Sequence, residues 1–228
     1  MKIATLFVSL LFLSLGTSKR DAPVHPWSKW DVGSWVKMRV TGAYGSSNIT
    51  QRLKSLGQKE YTIEQLMMVG EDEHSSDVTL HFGLGGYAHA MPEATKTGHE
   101  PLVIDSTIYE CDIWSGTWKS GPNVVKETSW VAQGTDLPLK IISESHATRL
   151  ELVAETLKDT VEVGEKSLMC VRYRGTKESK QSGNETVVSW RSAEVPGGLV
   201  KLVTTRLVGE ETSESENVAI EFKAIPKN

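Results

Sequence analysis

Along most of the chain, apolar and polar residues alternate one by one, in short runs that end at Gly, Ser, Asn or Pro. A period of two marks strands with one face toward a core and one toward water, joined by tight antiparallel connections. Val36, Met38 and Val40 alternate with Lys37, Arg39 and Thr41. Val78, Leu80, Phe82 and Leu84 do so with Thr79, His81 and Gly83, and Val218, Ile220 and Phe222 with Ala219, Glu221 and Lys223. Weaker runs predict strands at 48–55, 59–69, 106–115, 123–133, 139–146, 148–157, 166–174, 185–192 and 199–208. The segment 88–101, with Pro92, Gly98 and Pro101, reads as a loop or short covering element, and Glu210 to Glu216 as a solvated hairpin tip.

Matched landmarks suggest an internal duplication. Cys111, Gly116, Thr117 and Ser120 recur 59 residues later as Cys170, Gly175, Thr176 and Ser179. Ser129-Trp130 recurs 60 residues on as Ser189-Trp190, and Lys140 recurs 61 on as Lys201. The related halves are roughly 102–150 and 161–210, each about the length of four strands. The expected fold is therefore mainly β: one long antiparallel sheet with little helix, which must curl and cover its concave apolar face with a loop, a second layer or a ligand. Val195-Pro196-Gly197-Gly198 reads as a structural corner, Pro196 fixing φ and the glycine pair permitting positive φ. Its counterpart in the first copy, around Gly134 and Pro138, has no glycine pair.

Lys2, the uncharged apolar run from Ile3 to Leu15, and small residues Gly16 and Ser18 read as a signal peptide over residues 1–18. That run is shorter than the roughly 20 residues of a spanning helix, and no later stretch approaches that length. A single β-rich domain, 19–228, in a secreted or periplasmic setting follows. With 39% hydrophobic and 24% charged residues the chain has the balance of a globular protein, and a net charge of −4 argues against nucleic acid as a partner.

The run Val188-Ser-Trp-Arg-Ser-Ala-Glu-Val-Pro-Gly-Gly-Leu-Val-Lys201, with Leu168-Met-Cys-Val-Arg-Tyr173 before it and His25-Pro-Trp and Gly33-Ser-Trp-Val-Lys37 near the start, resembles a set of secreted bacterial proteins of unassigned function. Proteins of that look are similar in strand pattern to the half-barrels of LolA-like periplasmic lipoprotein carriers. The resemblance implies a curled sheet that holds acyl chains against a helical lid.

Chemical motifs are sparse. Gly83-Leu-Gly85-Gly-Tyr-Ala88 after a strand, with Asp105 further on, fits a dinucleotide fingerprint, but the following segment lacks the aliphatic stripe of the required helix. His81, His89, His99 and Glu100 lack a spacing that fixes two metal ligands on one point. No nucleophile elbow or Cys-x-x-Cys appears, so no catalysis, metal or cofactor is expected. Cys111 and Cys170 invite a disulfide by compartment. In a meander, however, they stand about four strands, roughly 19 Å, apart, well beyond the ~7 Å that a bridge spans. Trp114, Trp118, Trp130 and Trp190 are candidates to line a cavity for an apolar ligand, with core packing as the alternative. The expected function is non-catalytic binding of a hydrophobic or lipid-like ligand. The alternative is a cell-envelope structural protein with a self-filled core that contacts another envelope protein or a polysaccharide.

Overall fold

The structure is a computed structural model that describes residues 25–227 apart from 44, 70, 71, 121, 122, 182, 209 and 210. The expected signal peptide lies outside the described residues. A 3-10 turn at Pro26–Lys29 precedes β1 (Trp35–Gly42), β2 (Gly45–Leu56), β3 (Glu60–Val69) and β4 (Asp72–His81). After a second 3-10 turn, Ala88–Ala90, come β5 (Thr95–Ile104), β6 (Thr107–Ser120), β7 (Asn123–Ala132) and β8 (Pro138–Glu144). The chain closes with β9 (Thr148–Val163), β10 (Lys166–Ser179), β11 (Gly183–Arg191), β12 (Leu199–Val208) and β13 (Glu211–Lys223).

All thirteen strands form one antiparallel sheet in the order β4-β3-β2-β1-β13-β12-β11-β10-β9-β8-β7-β6-β5. From β4 to β6 there are eleven ladders, which in a flat sheet would separate the two strands by about 50 Å. Instead, the His81 ring on β4 stacks on Trp118 of β6 at 5.7 Å. The sheet is therefore strongly curved, yet unclosed: β4 and β5 remain edges with no ladder between them. Exposed Asp72, Glu73 and Asp77 on one edge, and Lys96 and Pro101 on the other, discourage pairing with another chain.

Three local expectations are corrected. The segment 88–101 is not all loop, because β5 begins at Thr95; Pro101 fits there since an edge strand leaves some N–H positions without a ladder partner. Glu211 to Glu216 belong to β13, where the ladder with Val203–Val208 of β12 satisfies their backbone while the acidic side chains reach solvent. The alternation through Leu84 overruns its strand, because β4 ends at His81 and Phe82 turns into the covering loop.

Two buried clusters hold the sheet. One gathers Trp27, Val36, Met38, Leu53, Tyr61, Ile63 and Phe82 with Leu168, Val195 and Val200. The other joins Ile104, Cys111, Leu139, Ile141, Leu152, Ala154 and Tyr173.

Candidate functional site

The inner face is covered by loop 82–94, the turn at Pro26–Lys29 and the corner 192–198. Glycines let the loop lie flat on the sheet. At Gly86, φ is +92° and a Cβ would sit 2.3 Å from the Ile141 side chain; at Gly83 it would meet Met91 Sδ at 2.5 Å. Ser129 on β7 clamps the loop, donating to the Gly86 carbonyl at 2.5 Å and accepting from the Ala88 N–H at 3.1 Å. Arg191 at the end of β11 adds a second tie, its Nη1 donating to the Gly85 carbonyl at 2.6 Å. The corner performs as the sequence suggests: Gly197 and Gly198 have φ of +81° and +78°. A Cβ at Gly197 would stand 2.8 Å from the Trp27 indole, so the absence of side chains seats the N-terminal turn. Pro196 is buried within this corner.

Between this cover and strands β9 to β11 lies a cavity of about 400 Å³, a size within the roughly 300–1,000 Å³ of small-ligand sites. Leu137, Pro138, Leu157, Met169 and Val171 give it apolar walls, and Tyr87, Tyr173 and Arg191 contribute polar groups. Tyr173 is fully buried and donates its hydroxyl proton to the Pro138 carbonyl at 2.7 Å. The Arg191 guanidinium lies over the rings of Tyr173 and Tyr87, 5.4 and 5.8 Å from their centroids. Cys170 is among the residues around the cavity, and burial, helped by Asp159 and Glu194, pushes its thiol pKa up to about 11. It is therefore a thiol at neutral pH, a poor nucleophile.

No family model, curated protein or solved structure matches the chain. Its geometry alone carries the functional argument.

None of the four tryptophans lines this cavity. Trp114 and Trp118 do face inward: Trp114 pairs with Ser129, and Trp118 meets His81 under the loop. Trp130 and Trp190 follow Ser129 and Ser189 and by alternation point away from the covering loop, where Trp130 is buried in the second cluster and Trp190 packs against the first. There they form a matched pair. Trp130 donates its indole N–H to Glu100 at 2.7 Å beneath Lys140, and Trp190 donates to Asp159 at 2.8 Å beneath Lys201. Cys111 and Cys170 hold equivalent places, pairing with Glu100 and Asp159 on the neighbouring strand. Both thiols are free, and four ladders separate β6 from β10.

The Gly83–Ala88 run leads into a three-residue 3-10 turn rather than a phosphate-binding helix. His81 accepts from the Gly83 N–H, His89 contacts the Asp136 carbonyl, and His99 pairs with Glu110, so the histidines do not converge. Among the described residues no cluster of three or more His, Cys, Asp or Glu could hold a metal ion.

Arg191, Tyr87 and Tyr173 were not singled out by sequence patterning. One signal pointed to Arg191: at the 60-residue offset that matches Ser129-Trp130 to Ser189-Trp190, Val131 is answered by Arg191. The same offset matches buried Glu127 to Val187. Burial raises the Glu127 carboxyl to about 8, against the smaller pull of the Ser143 hydroxyl and the Arg191 charge.

Proposed function

We propose that this is an exported, non-catalytic binding protein that holds a hydrophobic or lipid-like ligand between its curved sheet and the covering loop. The observation that carries the reading is the cavity, whose apolar walls come from Leu137, Pro138, Leu157, Met169 and Val171. The similarity of strand pattern to LolA-like half-barrels agrees with it, although the cover here is a loop with a short 3-10 turn, and no α-helix occurs among the described residues.

Native mass spectrometry of protein purified without detergent, followed by delipidation and titration with an environment-sensitive apolar dye, tests this reading. Copurified apolar mass, or saturable dye binding abolished by Leu157→Arg, is the expected result. Absence of both overturns it. The alternative, an envelope interaction protein, draws on exposed Met67, Met68 and Leu207 near the hairpin tips at one end of the sheet. It predicts that substituting these residues disrupts association with an envelope protein or polysaccharide while dye binding is absent.

A further inference from the structure

We infer that the ligand is an amphiphile with a single anionic head group, its chain lying against Leu137, Leu157, Met169 and Val171 and its head meeting the Arg191 guanidinium. The inference rests on the proposed binding function and adds the chemical class of the ligand. Of the two cationic residues lining the cavity, Arg191 is the half-buried one and Lys29 is exposed. Arg191 lies between the rings of Tyr173 and Tyr87. Its described hydrogen bond, to the neutral Gly85 carbonyl, uses Nη1. No carboxylate among the described residues lies within ion-pair distance of it. Of the acids around it, Asp136 and Glu194 line the same cavity and are exposed, while Glu127 has its carboxyl raised to about 8 by burial and is mostly neutral at pH 7.

A guanidinium half withdrawn from water and without a carboxylate partner retains donors that a carboxylate or phosphate can take up in charge-assisted bonds. The cavity's other charges, Lys29, Asp136 and Glu194, are exposed, where solvent screens them and where opposite signs offset. They therefore do not cancel the preference set deeper inside.

The test compares dodecanoate, dodecyl phosphate and dodecanol, three probes with one chain, by calorimetric titration of the delipidated full chain. Wild-type protein is expected to bind at least one of the anions about tenfold or more tightly than the alcohol. Whichever anion binds more tightly identifies the head group. Arg191→Gln should erase the preference while leaving dodecanol binding in place, and Arg191→Lys should keep part of it. Because Arg191 also ties down the loop, the wild-type comparison stands even if the variants fold poorly. Equal binding of anions and alcohol overturns the inference and leaves the carrier reading intact. Binding of none of the three overturns both.

Discussion

The two four-strand units β5–β8 and β9–β12 are alike on their outer face and different on their inner one. Outside, each presents a tryptophan under a cross-strand lysine with its N–H on an acid: Trp130, Lys140 and Glu100 in one, Trp190, Lys201 and Asp159 in the other. Inside, Glu127, Val131 and Asp112 of the first unit stand where Val187, Arg191 and Val171 stand in the second. Ser129 clamps the covering loop, whereas the register-equivalent Ser189 is buried without a hydrogen-bond partner. The outer face is thus a repeated scaffold. The inner face differs between them: Ser129 of the first unit clamps the cover, while the second unit supplies most of the strand residues around the cavity, half-buried Arg191 among them.

Substitutions at matched positions can break or sharpen that contrast. The largest effect is expected at Gly175, where a Cβ would lie 1.7 Å from the Glu151 backbone carbonyl oxygen. Gly175→Ala should cost more than about 3 kcal/mol in denaturant unfolding. Its counterpart Gly116→Ala meets only the end of the Met91 side chain and should cost about 1–2 kcal/mol.

Next comes the buried acid. In the unfolded chain Glu127 loses its proton near 4.5, while in the folded protein it keeps it up to about 8. Its contribution is fully present below pH 4.5 and is lost as pH rises to about 8. Glu127→Gln should flatten the stability profile over that window and gain about 2–3 kcal/mol at its upper end. A parallel decline in both proteins would refute the assigned role.

Smaller still, Ser129→Ala removes both clamps and should cost about 1–2 kcal/mol, with faster proteolysis within 82–94. Ser189→Ala should leave stability unchanged or slightly raised, because it deletes a buried hydroxyl that has no partner. Trp130→Phe and Trp190→Phe each remove one indole bond and should cost about 1 kcal/mol alike; a clear inequality between them would argue against a shared outer scaffold.

The strands were legible because period-two burial writes itself into side-chain alternation, as at Val36 and Met38 on β1. The curvature was expected from the need to cover one apolar face, and the Val195–Gly198 corner from its proline and glycines. Less legible was β5, since Gly98 and Pro101 look like breakers unless the strand is known to be an edge. The cavity was the least legible, because its lining comes from segments as distant as Pro26, Tyr87, Leu137 and Arg191. The tryptophans drew attention by size, yet the aromatic rings at the cavity belong to Tyr87 and Tyr173. A departure from the repeat, Arg191 in place of valine, was the better pointer.

The central claim is that the cavity beside β9 to β11, with Leu137 and Pro138 at the start of β8, encloses the ligand, and that the inner face of β7 does not. Titrating methyl-labelled protein with dodecanoate and following methyl resonances tests it most directly. Shifts should concentrate at Leu137, Leu157, Met169 and Val171, with Val125 and Val131 of β7 unmoved. Shifts centred on Val125 and Val131, an even spread over the cavity and β7, or no shift at all would contradict it.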